Sequence, residues 1–279
     1  MKTKTLVVCS ITNWIVQDFL DAKIADIEII GDRGFDLPAV KPSGETAWWM
    51  PTEHAVKLRY SDFSIPFVAP GSHWLPSVPQ SLTGRYIGSL TVSEALSKNS
   101  PFSDSPDKKL WIKPAEFKHQ EFFAGIYSQQ EIAAFNLPLD AVLQWTSTIL
   151  DIAEEHRFYV LDNEIITGSE YLVDNLTYYD GAVSSLQAEA FSFASKAVKE
   201  LGYNQPPAYT LDVALDKKTN SWVVLEGNPA FSSAIYGSDP AKVVDVLLRC
   251  CNPQEKDQNW IWKPDSFLMK KYARMRPLR

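Results

Sequence analysis

The chain has 279 residues, of which 45% are hydrophobic, and this length predicts a large core divided over roughly two or three lobes. Its formal net charge of −7 and its pI of about 5.2 argue against nucleic acid as the main partner. Because its three cysteines and four histidines lack the spacing of a disulfide framework or a zinc site, and no apolar run has signal-peptide or membrane-spanning length, a soluble cytoplasmic protein is expected.

The first part of the chain has the pattern of an α/β lobe. Residues 5–9 (TLVVC) have the composition of a buried strand, residues 14–25 carry apolar positions at helical spacing, and residues 26–30 predict a second strand. The segment 10–13 after the first strand is not GxGxxG, so a classical dinucleotide site is not expected here. We assign residues 1–98 to this N-terminal lobe.

Residues 31–79 are irregular and rich in proline. This composition favours packing over the core more than a substrate-facing surface, although both interpretations stay open. A strand at 81–87 and a short helix at 91–97 are predicted next. The polar, proline-bearing segment 99–109 (NSPFSDSPDKK) then predicts a linker between lobes.

A lysine is embedded in the hydrophobic run 110–114 (LWIKP), which predicts a strand. Burial of a lysine is costly unless the ammonium group meets an anion, so Lys113 is a candidate phosphate contact. Lys118 follows five residues later. The alternative is a lysine that extends to solvent at the edge of a sheet.

A long β-prone run at residues 141–152 (AVLQWTSTILDI) is followed by the charged residues Glu155 and Arg157. Strands at 158–161 and 164–168, joined by an Asp-Asn turn, predict a hairpin. Arg157 enters the first of these strands with Glu155 beside it. This arrangement suits phosphate or carboxylate binding, and it suits a structural ion pair equally well.

Two helices are predicted in the C-terminal half. The first spans residues 184–201 and ends at Gly202, and the second begins at Asp239 and runs to residue 251. The segment 252–279 is expected to dock through its tryptophans before a basic, solvated tail.

A hairpin predicted from strands at residues 210–215 and 221–226 carries the most informative acidic pair. If its loop is 218–220, Asp212 lies directly opposite Glu226, and Asn228 projects from the same face. Facing carboxylates are usually held by a cation, and oxygen ligands without His or Cys indicate a hard ion such as Mg²⁺. The alternative is a pair of solvated carboxylates on an exposed sheet face, and a one-residue slip in register would separate them.

The strand lysine, the Glu-x-Arg pair, the strand aspartate and the Glu-x-Asn pair follow one another in an order that resembles the ATP-grasp superfamily. The elements W-I-K-P, E-H-R and L-E-G-N are most similar to its R2K clade. The resemblance covers roughly residues 110–251. It implies an α/β N-terminal lobe followed by α+β ATP-grasp lobes with mainly antiparallel sheets.

What the resemblance implies about function is an ATP- and Mg²⁺-dependent carboxylate–amine ligase. In such enzymes ATP lies between two α+β lobes, and its γ-phosphate passes to a carboxylate. An amine then attacks the resulting acyl phosphate, which gives an amide or peptide-like bond. The expected partners are a small-molecule, peptide or protein carboxylate and an amine acceptor, with no nucleic acid and no membrane.

The same resemblance carries roles onto individual residues, with 143–152 as the adenine hinge. It assigns nucleotide contacts to Lys113, Lys118, Gln144, Thr146, Ser147 and Glu155. It assigns Mg²⁺ to Asp212, Glu226 and Asn228. It assigns catalysis to Lys113 and to Arg157, which would stabilise the transferring phosphoryl group or the oxyanion. A small-molecule kinase and a non-catalytic nucleotide-binding or interaction module remain alternatives.

Overall fold

The computed structural model describes residues 4–10, 13–32, 40–58, 64–102, 104–105, 107–116, 122–181, 184–265 and 268. The chain divides into two compact units. The first unit combines residues 1–70 with 151–262, and the second combines residues 71–150 with 263–279.

The described part of the chain contains strands and helices with the following bounds. The strands are β1 (Lys4–Cys9), β2 (Ile27–Asp32), β3 (Thr46–Trp49), β4 (Gly88–Thr91), β5 (Leu110–Pro114), β6 (Gly125–Tyr127), β7 (Val142–Thr146), β8 (Ile152–Leu161), β9 (Glu164–Val173), β10 (Leu176–Thr177), β11 (Ala208–Asp216) and β12 (Ser221–Asn228). The helices are α1 (Asn13–Asp21), α2 (Thr52–Leu58), α3 (Trp74–Ser77), α4 (Gln80–Thr83), α5 (Val92–Ala95), α6 (Gln129–Ala134), α7 (Gln187–Leu201) and α8 (Pro240–Cys251). Short 3₁₀ helices lie at Ala230–Ser232 and Glu255–Trp260.

The N-terminal α/β pattern is confirmed in the first unit. Strand β1 is central in a parallel sheet of order β2-β1-β3, and α1 connects β1 to β2. The helix is shorter than the predicted 14–25, because it ends at Asp21 and the backbone of Lys23 and Asp26 adopts positive φ angles of 46° and 60°. Such angles cannot continue a right-handed helix.

The main sheet of the first unit is antiparallel, with the order β10-β9-β8-β11-β12. The predicted turn between β8 and β9 is confirmed, since Asp162 and Asn163 adopt φ angles of 44° and 71°. Both strands are longer than predicted, which places Glu155 and Arg157 inside β8. The predicted run 141–152 is not one strand, because β7 ends at Thr146 and β8 begins at Ile152.

Helix α7 covers one face of this sheet. Its Gln187 side chain lies 2.7 Å from His156 Nδ1, and its Phe191 ring packs edge-on against Phe158. Successive strand residues point to opposite faces, so Arg157, which lies between these two positions, points away from α7. As predicted, α7 ends at Gly202, which has a φ of 54°.

The second unit contains a four-stranded antiparallel sheet of order β4-β7-β5-β6. Buried apolar residues of β4, β5 and β7, joined by Phe122 and Ile132, form its core. Because β4 is hydrogen-bonded to β7, the predicted lobe boundary between residues 98 and 99 differs from the observed division. The predicted linker 99–109 likewise connects α5 to β5 inside the second unit.

Two local predictions just before β4 and β5 also need correction. The predicted strand 81–87 is wrong, because Gln80–Thr83 is a helical turn that ends at Gly84, with a φ of 65°. The predicted helix 91–97 is confirmed in a shorter form as α5, whose Thr91 and Glu94 make reciprocal capping hydrogen bonds.

The segment after α8 begins by docking on the first unit. Trp262 is buried, its backbone N–H donates to the Phe67 carbonyl at 2.7 Å, and its ring packs against Phe231. The predicted basic tail, residues 270–279, lies outside the described residues.

Candidate active site

A buried ion pair lies on the face of the antiparallel sheet that points away from α7. Arg157 on β8 and Asp212 on β11 are direct partners in the strand ladder. Arg157 Nε donates to Asp212 Oδ1 at 2.8 Å, and Nη2 donates to Oδ2 at 2.7 Å. Asp212 is fully buried and Arg157 is 9% exposed. The parallel, two-pronged geometry makes this a strong and well-oriented contact.

Glu226 and Asn228 extend the same row across β12, as predicted. Asp212 pairs directly with Glu226, and Thr210 pairs with Asn228. The turn is one residue longer than predicted, but a bulge at Leu225 restores the pairing. Without the bulge, Leu225 would lie opposite Asp212 and Glu226 would point to the other face.

The amide of Asn228 connects the two carboxylates. Its Nδ2 donates to Asp212 Oδ2 and to Glu226 Oε1, each at 3.0 Å. Asn228, predicted to bind a metal, is therefore within hydrogen-bonding distance of the other two predicted ligands, and Arg157 adds a positive charge beside Asp212.

Two stacked tyrosine rings lie beside the guanidinium. The rings of Tyr171 and Tyr236 are 4.8 Å apart with an interplanar angle of 10°, and Arg157 Cζ is 5.3 Å from each ring centroid. Tyr171 is the extra residue of a bulge in β9, and its hydroxyl donates to Glu155 Oε2. The predicted nucleotide contact Glu155 is thus part of this cluster.

The charges of the cluster shift the protonation of its members. Burial raises the pKa of Glu155 to about 7, partly offset by the hydrogen bond from Tyr171, and the nearby Asp212 and Glu226 carboxylates raise it further. Burial alone would lower the pKa of Arg157, but the Asp212 carboxylate more than offsets this and raises the pKa above its usual value. The guanidinium therefore stays charged at every ordinary pH.

The side-chain oxygen atoms of this row suit a bound Mg²⁺ ion. Among the described residues, no group of three or more His, Cys, Asp and Glu side chains is arranged to hold a metal ion. The row offers instead two carboxylates, Asp212 and Glu226, and the amide of Asn228. Mg²⁺ commonly binds to one or two carboxylates and completes its shell with water and substrate phosphates, so this smaller set is sufficient.

The second unit carries the other predicted nucleotide contacts on adjacent strands. Lys113 on β5 is half-buried and pairs directly with Gln144 on β7. Gln144 is buried, its Nε2 donates to the Ser72 carbonyl at 3.0 Å, and its Oε1 accepts no hydrogen bond from the described residues. A buried acceptor of this kind needs a donor, which a bound amino group could supply.

Thr146 and Ser147 follow Gln144 at the end of β7. Thr146 is buried and its Oγ1 accepts from the Thr148 backbone N–H at 3.1 Å, whereas Ser147 is exposed. The hydroxyl of Thr146 therefore shapes the turn after β7. The predicted contact Lys118 lies outside the described residues.

Sequence reasoning did not find two residues of the clusters, Tyr171 and Glu116. Tyr236 follows the predicted metal motif, where it could face substrate, but its contact with Tyr171, more than sixty positions away, arises only through the fold. In the second unit, Glu116 accepts hydrogen bonds from the backbone N–H and the hydroxyl of Ser72. No local sequence pattern predicts the contacts of these residues, because the contacts depend on a bulge, a loop and segments that are distant in the chain.

The comparison with known families decides the identity of the fold. Residues 82–246, more than half of the chain, match the family described as ATP-grasp domain, R2K clade family 2. The chain belongs to this family. It is an enzyme of the ATP-grasp ligase superfamily, and the predicted family and fold class are confirmed.

Solved ATP-grasp structures resemble the chain at low sequence identity. N5-carboxyaminoimidazole synthetase from Staphylococcus aureus complexed with ADP is 11% identical, with a TM-score of 0.48 over 90% of this chain and 80% of that one. D-alanine–D-alanine ligase from Bacillus anthracis complexed with ATP is 13% identical, with a TM-score of 0.45 over 89% and 96% of the two chains. The macrocyclase MdnC from Microcystis aeruginosa bound with its precursor peptide MdnA is 12% identical, with a TM-score of 0.48 over 88% and 99%.

Two further comparisons complete the description of this ATP-grasp chain. A search of curated proteins found no match. Within the described residues, no helix has both the length and the apolar character needed to cross a membrane.

Proposed function

We propose that this ATP-grasp chain is an ATP- and Mg²⁺-dependent carboxylate–amine ligase. It would activate a small-molecule, peptide or protein carboxylate as an acyl phosphate and transfer the acyl group to an amine. The observation that carries the proposal is the row of Arg157, Asp212, Glu226 and Asn228 on one face of three adjacent strands. The family membership supports the nucleotide, and the row supplies charges of the kind that phosphoryl transfer requires.

Asp212, Glu226 and Asn228 would hold Mg²⁺, which neutralises phosphate charge when it is bound. Arg157 donates hydrogen bonds from Nε and Nη2 to Asp212 and so fixes the orientation of that carboxylate. Its Nη1 has no acceptor among the described residues, so Nη1 would donate to the transferring phosphoryl group or to the oxyanion.

The other predicted nucleotide contacts would bind the rest of the nucleotide. The ammonium group of Lys113 would contact the α- and β-phosphates, with Lys118 as support. The unpaired Gln144 Oε1 would accept a hydrogen bond from an amino group of the base, within a hinge that includes Thr146 and Ser147. Glu155 would also contact the nucleotide.

Calorimetry with ADP and Mg²⁺ tests this assignment. We expect Glu226→Ala and Lys113→Ala each to weaken binding by about tenfold or more. Glu164→Ala and Lys98→Ala, which remove exposed charges of the same sign, serve as matched controls and should bind as wild type. A folded wild-type protein that does not bind ADP with Mg²⁺ would refute the proposal.

A second measurement separates the ligase from the kinase alternative. ADP release is followed while carboxylates are screened with and without amines. A ligase requires both substrates for continued ADP release and yields an amide. Phosphorylated acceptor that accumulates equally without amine would show phosphate transfer alone.

A further inference from the structure

Four aromatic rings connect the candidate active site to the protein surface within the first unit. We call them the aromatic row: Tyr171, Tyr236, Tyr179 and Trp14. The first two rings stack beside Arg157, the Tyr236 and Tyr179 centroids are 6.1 Å apart, and the Tyr179 and Trp14 centroids are 5.9 Å apart. The row begins at a buried guanidinium and ends on helix α1.

The outer half of the row is exposed. Tyr179 is 61% and Trp14 is 40% exposed. Arg157 already forms cation–π contacts with the two inner rings, whereas Tyr179 and Trp14 make no such contact with a described residue. Two large neighbouring rings that face solvent next to an active site are typical of a binding surface.

The backbone near Tyr179 is packed tightly enough to hold the row in place. A Cβ on Gly237 would lie 2.8 Å from the Asp180 carbonyl oxygen and 2.8 Å from Gly181 Cα. The segment that carries Tyr179 therefore packs directly on the segment that carries Tyr236. Such a fixed surface loses little conformational entropy when a ligand binds.

The charges beside the exposed rings are negative. Asp18 lies one helical turn after Trp14, and Asp180 follows Tyr179 directly. Burial raises the pKa of Asp18, and the charges of Asp180 and Asp21 raise it further, so these carboxylates lie close enough to interact. A cation would relieve their repulsion and could stack on the exposed rings at the same time.

We propose that the outer part of the aromatic row, Tyr179 and Trp14 with Asp18 and Asp180, binds a positively charged guanidinium or ammonium group of the ligase substrate. This inference rests on the proposed function for the reacting end of that substrate. Because Arg157 repels a cation at the inner end, the substrate lies with its cationic group outward. Several bonds must then separate the cationic group from the reacting group, as in a peptide with arginine or lysine side chains or in an extended basic amine.

Calorimetry with charged and uncharged probes tests the proposal in the presence of ADP and Mg²⁺. The probes are agmatine, a tetrapeptide amide of alternating alanine and arginine, and the same peptide with glutamine or glutamate in place of arginine. We expect a cationic probe to bind and the glutamine and glutamate peptides to bind at least about fivefold more weakly. Binding of the arginine peptide alone indicates a peptide substrate, and equal binding of agmatine indicates a small basic amine; either result supports the proposal.

Variants locate the binding surface. Tyr179→Ala, Trp14→Ala and Asp180→Asn should each weaken binding of the cationic probe by about fivefold. Tyr179→Phe should retain most of the affinity for this probe. Tyr203→Ala, at a tyrosine that is 93% exposed elsewhere, is the matched control. Unchanged affinity in both ring-removing variants, or equal binding of the glutamate peptide, would overturn the proposal.

A parallel ADP titration keeps the two proposals apart. The row variants should bind ADP and Mg²⁺ as wild type does, because none of them alters a proposed nucleotide contact. Loss of ADP affinity in Trp14→Ala or Tyr179→Ala would overturn the substrate assignment and make the row part of the nucleotide site. A wild-type protein without ADP affinity would refute the ligase function, whereas the cationic probes still report on the row without nucleotide.

Discussion

Arg157 holds both carboxylate oxygens of Asp212 at 2.8 and 2.7 Å across two central strands of the antiparallel sheet. Separation of a buried pair of this kind is costly, because it would leave each charge buried without compensation. The pair therefore fixes the position of Asp212 before any ligand binds. It also couples the stability of the first unit to the geometry of the candidate site.

Removal of one charge of this pair should strongly destabilise the protein. We expect Arg157→Met to lower the free energy of unfolding by about 3–5 kcal/mol, because Asp212 is left buried without its partner. The double variant Arg157→Met/Asp212→Leu should lose much less than the sum of the two single variants. Urea unfolding of all four proteins measures this coupling.

The exposed pair Lys4–Asp245, with an Nζ to Oδ1 distance of 3.0 Å, provides the control. Lys4→Met should cost less than about 1 kcal/mol, because solvent screens both charges. If the double variant lost as much stability as the two single variants together, Arg157 and Asp212 would not be energetically coupled, which would contradict the prediction.

Asn228 provides a second prediction, because its amide joins two carboxylates. Asn228→Asp removes the bridging N–H groups and adds a third carboxylate beside Asp212 and Glu226. Without metal, the variant should therefore be less stable than wild type by about 1–3 kcal/mol. Mg²⁺ should reduce or reverse this difference, since the added charge favours a cation. Thermal unfolding in EDTA and in Mg²⁺ measures the stability difference between variant and wild type without and with the metal.

Asn163→Asp, in the exposed turn between β8 and β9, is the matched substitution and should respond little to Mg²⁺. If the stability gap of Asn228→Asp were the same with and without Mg²⁺, the row would be a structural hydrogen-bond network rather than a metal site.

Glu116 should make stability depend on pH. Burial raises its pKa from 4.5 to about 7, hydrogen bonds from Ser72 oppose this shift, and the Asp265 charge adds to it. The folded state then binds more protons than the unfolded state between these values, so stability should fall as pH rises from about 4.5 to 7. Glu116→Gln should remove on the order of 2 kcal/mol of this dependence in urea unfolding at several pH values.

Glu164→Gln, at an exposed position of β9, should leave the pH dependence as in wild type. An unchanged pH profile in Glu116→Gln would show that Glu116 is ionised in the folded protein at acidic pH.

The sequence predicted the order of the charged residues better than the reason for their alignment. The facing of Asp212 and Glu226 was predicted from a three-residue loop, but the structure reaches it through a longer turn and a bulge at Leu225. Strand periodicity determines which residues share a face, and it contains no signal for one extra residue. The agreement thus came from two compensating irregularities.

Contacts between distant segments were beyond sequence reasoning. Tyr171 is turned into the site by a second bulge, and Tyr236 reaches it from the loop after β12 with a φ of 46°. The boundary predicted at residue 98 differs from the observed division for a related reason, because β4 pairs with β7 more than fifty positions later. Hydrogen-bonded partners across such separations depend on the whole topology and leave no local pattern.

Gly237 gives the last prediction, which concerns the packing that positions Tyr236 and Tyr179. A methyl group at this position would meet the Asp180 carbonyl oxygen and Gly181 Cα at 2.8 Å, well inside normal contact, and both are backbone atoms that cannot rotate away. Gly237→Ala should therefore cost about 1–3 kcal/mol in urea unfolding and weaken the cationic probe. Gly71→Ala is the matched control, because nothing lies within 4 Å of its added methyl group. If the two alanine variants were equally stable, the two segments would be free to separate, and the aromatic row would not be preformed.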